Sequence, residues 1–328
     1  MLTYVIRGNL VTEVFQSAQG SNTSICHILS LDGGGAKGFY TLGVLREVEA
    51  LVGRPLSEVF QLIFGTSTGS IIAALLAQGK SVAEISELYV EHVPPIMQEK
   101  WSSGKTRALA ATAQAVFGDA DFSNLKTGVG LVATKWQLET PMIFKNYVGH
   151  AHGRVGTFVP GFGCKLSDAV QASCSAYPFF ERKVVTTASN DEIELIDGGY
   201  CANNPTLYAI ADATGPMGFA PSDVRVLSIG VGNYPEPKPE FWMRLIKKYV
   251  LSVQLLQKTL EINTASMEQL RRIMFPHIPT VRVNETFEKP DMATDLFEHD
   301  LAKLKLIRLR GSESYAKHEI EIKSLLGV

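Results

Sequence analysis

A serine at position 67 stands between glycines in GTSTG (65–69), after the apolar run VFQLIF and before SIIAALLAQG. Glycines two positions either side permit the tight strand-to-helix turn that lifts a hydroxyl out of a sheet, as a hydrolytic nucleophile requires. The same residues also suit a helix N-cap, a task open to Ser67 or Thr68. Upstream, DGGGAKG (32–38) matches the dinucleotide pattern GxGxxG, but that reading needs an acid at the end of the next strand. Gly65 stands there instead. A phosphate loop of the GxxxxGK[ST] kind fails because Gly38 follows Lys37. Consecutive glycines opening a helix can still turn backbone N–H groups toward one anion, including the transient oxyanion of acyl transfer. A tight turn with no ligand is the plain alternative.

A third cluster is DGGYCANNP (197–205), in which Asp197 closes the apolar strand EIELID and precedes two glycines. Asp-Gly usually marks only a turn. At the end of a core strand, however, a carboxylate lies where α/β sheets bind their ligands. Glycines 33–35, Ser67 and Asp197 are therefore expected at one end of one sheet. The base for Ser67 is open at this stage. Ser67, Asp197 and His277, in the proline-flanked FPHIP, follow the Ser–Asp–His order of an α/β-hydrolase triad. His27 lies inside a strand, and the HxH pair His150 and His152 in GHAHGR lacks an evident third metal ligand.

The elements that must hold these residues alternate in type. ICHILSLD (25–32), VFQLIFG, EIELIDGG (192–199) and VRVLSIGVG (224–232) read as strands. Leu42, Leu45, Val48 and Leu51 recur at helical spacing, and SIIAALLAQG is apolar on nearly every side, as an interior helix would be. The pattern predicts an α/β domain with a largely parallel sheet. Residues 1–24 form an N-terminal extension in which NLVTEVF is an expected edge strand, and 25–328 form one domain. The portion 241–328 is mainly helical, with a last helix from about Met292 to Leu326. Residues 94–124 are Ala-rich and carry no clear pattern. In FWMRLIKKYVLSVQLL, residues Trp242, Leu245, Ile246, Tyr249 and Val253 share a helical face, with Arg244, Lys247 and Lys248 beside or opposite it. That face fits either a lipid interface or the protein core.

Composition narrows the class. Hydrophobic residues make up 45% and charged ones 20%, as in a globular protein, and a formal net charge of -2 gives no general attraction to nucleic-acid polymers. The four cysteines are widely spaced and suggest neither a metal finger nor a disulfide framework. The N-terminus does not read as a signal peptide, and no apolar run approaches the roughly 20 residues of a membrane span. A cytoplasmic protein with at most peripheral contact to the inner face of the membrane is expected.

The ordered set DGGGx[RK]G, GxSxG and DG[GA] resembles the patatin-like phospholipases. It occurs here as Asp32–Gly38, Gly65–Gly69 and Asp197–Gly199, accompanied by ASCSAYPFF (172–180), ANNP and the tail MATDLFEHDLAKLKLIRLRG. The resemblance covers about residues 25 to 328. It implies an α/β fold, a three-layer α/β/α sandwich with a mainly parallel central sheet, and a lipid acyl hydrolase with a Ser67–Asp197 dyad, no cofactor and no metal. Ser67 would be the nucleophile and Asp197 the general base and acid. Gly33, Gly34 and Gly35 would form the oxyanion hole. Lys37 stands where many members carry arginine, and would support the loop or attract a phosphate headgroup. The membrane phospholipid is the implied substrate. The chain also resembles bacterial phospholipases of anti-phage signalling that cyclic oligonucleotides switch on, which implies a nucleotide pocket outside the dyad, in the second half of the chain or at the interface of a homo-oligomer. A serine esterase with the histidine triad and a non-catalytic nucleotide- or anion-binding protein remain the competing readings.

Overall fold

The computed structural model describes residues 25–235 and 247–328. The edge strand expected in NLVTEVF and the residues Trp242, Arg244, Leu245 and Ile246 lie outside the described residues, as do the side chains of Lys247, Lys248 and Tyr249.

One sheet, its central strands buried almost continuously, is built from β1 (Cys26–Leu31), β2 (Leu62–Thr66), β3 (Gly128–Lys135), β4 (Thr140–Lys145), β5 (Lys183–Thr186), β6 (Glu192–Asp197), β7 (Val224–Ile229) and β8 (Thr280–Val283). Its order is β5-β6-β3-β2-β1-β7-β8, with β4 also paired to β3. β3, β2, β1, β7 and β8 run parallel, whereas β4, β5 and β6 join by antiparallel pairing.

β6 is one of the antiparallel members of this mainly parallel sheet. It overlaps only the last residues of β3, pairing Asp197 with Ala133 and Leu195 with Lys135, so its first half extends past β3 and pairs with β5 alone. Asp197 is nevertheless delivered to the carboxyl half of β3, beside the end of β2.

Two apolar layers follow from the pleat, since successive side chains face opposite ways. Leu29 and Leu31 of β1 enter the larger core, and Cys26 and Ile28 the smaller one. Helices α1 (Gly38–Val52), α2 (Thr68–Ala77), α3 (Val82–Gln98), α4 (Ser102–Phe117) and α5 (Leu166–Ser173) supply the first layer. α6 (Gly199–Ala202) and α7 (Thr206–Thr214) supply the second. α8 (Lys247–Met274) packs on α6 and α7, while its Leu256 and Leu260 reach the larger core. α9 (Leu301–Leu326) packs on α1.

α4 occupies the stretch that carried no pattern. Leu109, Ala113 and Phe117 are its buried stripe, too sparse among alanines to stand out as periodic. The last helix begins at Leu301, not near Met292. Residues 293–300 instead run irregularly across the glycine loop, with consequences for the site. Of the face expected on FWMRLIKKYVLSVQLL, Val253 packs against the core. No described helix is long and apolar enough to cross a membrane.

Candidate active site

Ser67 sits at the corner between β2 and α2 with φ 52° and ψ -123°, a conformation L-residues rarely adopt. Holding a residue there costs on the order of 1–3 kcal/mol, and the surroundings must over-determine it. They do. The Ser67 N–H donates to Ser173 Oγ at 2.9 Å, which in turn donates to the Val132 carbonyl. Ser70 Oγ donates to the Ser67 carbonyl at 2.6 Å. The flanking glycines allow the elements to approach: a Cβ at Gly65 would strike the Gly69 carbonyl, and one at Gly69 the Leu31 carbonyl. Although Ser67 occupies the N-cap position of α2, its hydroxyl makes no capping bond. The hydroxyl is left available for chemistry.

Asp197 supplies its partner. The carboxylate is 2% exposed, and its Oδ1 accepts the Gly199 N–H at 2.7 Å. Burial pushes its pKa up to about 7, opposed by the Gly199 N–H and the Ser67 hydroxyl. A carboxylate near neutrality is a far better base than one at its ordinary value near 4. The end of α5 places both groups, because Ser175 O accepts the Asp197 N–H and Ser173 O the Gly198 N–H. Ser173 and Ser175 are therefore positioning residues. Their signal lay in ASCSAYPFF, whose small residues let backbone and hydroxyls approach the elbow. Cys174 is buried beside Ser67 and Ser70, and burial drives its thiol pKa far above the usual range, leaving it protonated and inert.

The glycine loop divides its labour. Gly33 donates its N–H to the Asn203 carbonyl at 3.0 Å. Gly34 and Gly35 line the cavity with Ser67 and Asp197, and their N–H groups meet no acceptor among the described residues. Gly35 has φ +57°, and the next amide, that of Ala36, donates to the Leu296 carbonyl at 3.0 Å. Asp32 anchors the loop from beneath through a two-pronged pair with Arg282 of β8. Burial opposes the Arg282 charge, but the Asp32 carboxylate outweighs it and holds the guanidinium pKa above its usual range. Lys37 does not face the serine. It is buried against a separate polar cavity of about 200 Å³, with Nζ 3.9 Å from Glu261. Burial lowers its pKa against the pull of Glu261 and Asp295.

Around Ser67 and Asp197 the walls are apolar, formed by residues such as Ile96, Met97, Phe180, Leu260 and Leu296. The space between them is only about 60 Å³. His277 is not brought to this centre: it precedes β8 and so lies at the amino edge of the parallel strands, whereas Ser67 follows β2 at the carboxyl edge. No group of three or more His, Cys, Asp or Glu side chains among the described residues is arranged to hold a metal ion.

A model of the patatin-like phospholipases matches residues 29–210, which contain the elbow, the glycine loop and Asp197. The chain belongs to the patatin-like phospholipase family. That makes it a member of a serine hydrolase family. This patatin-like phospholipase is 59% identical to a cUMP-AMP-activated phospholipase of Escherichia coli over 93% of its own chain and 95% of the relative. It is 29% identical to a cGAMP-activated phospholipase of Escherichia coli strain TW11681 over 62% of its own chain and 61% of the relative. It is 32% identical to patatin-like protein 2 of Arabidopsis thaliana, covering 63% of its own chain and 60% of that protein.

Proposed function

We propose that this patatin-like phospholipase hydrolyses acyl esters of glycerophospholipids through Ser67 and Asp197, and that a cyclic dinucleotide switches it on. The observation that carries the hydrolytic reading is the strained, uncapped Ser67 facing a buried carboxylate in an apolar cavity. Ser67 Oγ attacks the ester carbonyl while Asp197 takes its proton. The carbonyl π electrons move onto oxygen, which the Gly34 and Gly35 amides receive. Collapse expels the alcohol, protonated by Asp197, and leaves the acyl-enzyme. Water then attacks, giving its proton to Asp197, and the fatty acid departs as the serine is restored. Losing one such oxyanion donor costs roughly 3–4 kcal/mol.

Two observations support the switch. The relatives just described include phospholipases activated by cUMP-AMP and cGAMP. The cavity of about 60 Å³ is also far below the roughly 300 Å³ of small-molecule sites. An acyl chain enters only after the walls part.

The test combines active-site labelling with hydrolysis of a fluorogenic phospholipid, each with and without cUMP-AMP or cGAMP. A fluorophosphonate probe should label Ser67, nucleotide should raise both signals, and Ser67→Ala should show neither. Absence of labelling under every condition would favour a non-catalytic binding protein. Full activity without nucleotide would remove the switch.

The raised pKa of Asp197 gives a second expectation. The base must be deprotonated, so activity is lost as pH falls through about 7. kcat/KM should drop about tenfold per pH unit on the acid side. A profile flat from pH 5 to 8 would show that Asp197 does not act as the base.

A further inference from the structure

Away from the dyad, the HxH segment lines a cavity of about 590 Å³ between β4, the loop leading to α5 and the β5–β6 turn. That volume lies within the roughly 300–1,000 Å³ typical of small-molecule sites. The walls combine three kinds of chemistry. Phe158 and Phe162 offer aromatic surface, Phe162 being 41% exposed. Arg154 offers a guanidinium that meets no acid among the described residues, and Lys145 lines the same cavity. His150 is 1% exposed, yet both its ring nitrogens lack a hydrogen-bond partner.

The orphaned groups come as a set. Asp212, from α7, is 2% exposed; its Oδ1 accepts from Lys145 Nζ at 2.7 Å and pairs with His152 Nε2 at 2.6 Å. Its Oδ2 has no hydrogen-bond partner and stands 3.8 Å from His150 Nδ1. Buried polar groups are nearly always hydrogen-bonded, so an unpartnered imidazole in the wall of a cavity, with the Asp212 carboxylate behind it, marks a place for a ligand. Another cavity of similar size is lined by Glu49, Glu87 and Glu91 against Arg46 and Arg308, an acid excess that repels phosphate.

We infer that the His150 cavity is the binding site for the activating cyclic dinucleotide. Its phosphodiester is met by Arg154 and Lys145, a base rests on Phe158 and Phe162, and the base edge reaches His150, which Asp212 backs from behind. This site rests on the reading that a cyclic dinucleotide activates the protein.

The fold ties this cavity to the catalytic centre along two routes. The chain runs from Phe162 into α5, whose last residue, Ser173, holds the Ser67 N–H through its Oγ and the Gly198 N–H through its carbonyl. Ile193, another wall of the cavity, lies on β6, which ends at Asp197. The routes are joined at their start, where the Phe162 carbonyl accepts the Ala188 N–H at 2.8 Å. A ligand that shifts this junction moves the supports of both catalytic groups together.

The experiment measures binding of cUMP-AMP and cGAMP to the full chain by calorimetry, with hydrogen exchange on the same samples. Arg154→Glu and Phe162→Ala alter side chains outside the core and should weaken binding at least about tenfold. Both should require correspondingly more nucleotide for activation, and Arg154→Glu should leave nucleotide-free labelling of Ser67 unchanged. Bound nucleotide should protect amides in 146–162 and 187–193. Wild-type affinity in both variants, or protection confined to α8 and the residues after β8, overturns the location while leaving activation intact. Wild-type protein that hydrolyses lipid but binds neither nucleotide overturns the site and the switch together.

Discussion

Asp197→Asn lowers kcat/KM by about 100- to 10,000-fold, the span expected for losing a general base. The substitution is close to isosteric, and the amide oxygen can still accept the Gly199 N–H that Oδ1 accepts now. Burial already disfavours the charge at this position, so a neutral side chain does not strain the fold. The variant should therefore unfold at the same urea concentration as the parent while labelling slowly with a fluorophosphonate. Full esterase activity in a correctly folded variant would eliminate the dyad. His277 has no part in this result, since the amino edge of the sheet keeps it from Ser67.

Arg282→Ala has the largest expected effect on stability. It leaves the Asp32 carboxylate, 2% exposed, without its two-pronged partner. Removing one member of a buried ion pair typically costs about 3–5 kcal/mol. Urea unfolding monitored by tryptophan fluorescence measures the loss directly. The double variant Asp32→Asn/Arg282→Met should recover much of it, because neither charge is then buried alone. Activity should suffer beyond the stability loss, since Asp32 immediately precedes the glycines facing Ser67. A cost below about 1 kcal/mol would mean that the carboxylate finds solvent or another donor.

Arg282 also shows where sequence reasoning stops. Asp32 drew notice as the head of a motif, but nothing in TVRV points to a partner 250 residues earlier in the chain. Leu296 is a similar case. MATDLFEHD reads as the start of a helix, yet it packs irregularly on the glycine loop and accepts the Ala36 N–H through a backbone carbonyl. A backbone acceptor has no side-chain signature. The orphaned His150 and Asp212 likewise become a pair only when α7 is laid behind β4.

The local chemistry was legible because local rules govern it. Ser67 needs glycines two residues away to turn, and a loop that offers N–H groups needs successive residues without Cβ. These demands appear as short words, GTSTG and DGGGAKG, in any chain that meets them. Strand and helix patterns likewise announced an α/β domain with a largely parallel sheet. The tertiary structure decided what depends on distance through space. It ran β6 antiparallel while still bringing Asp197 to Ser67, and turned the Gly33 amide to Asn203. It also aimed Lys37 away from the serine and raised the Asp197 pKa by surrounding it with apolar walls. Spacing along the chain encodes conformation, whereas desolvation and long-range hydrogen bonds exist only once distant segments have packed together.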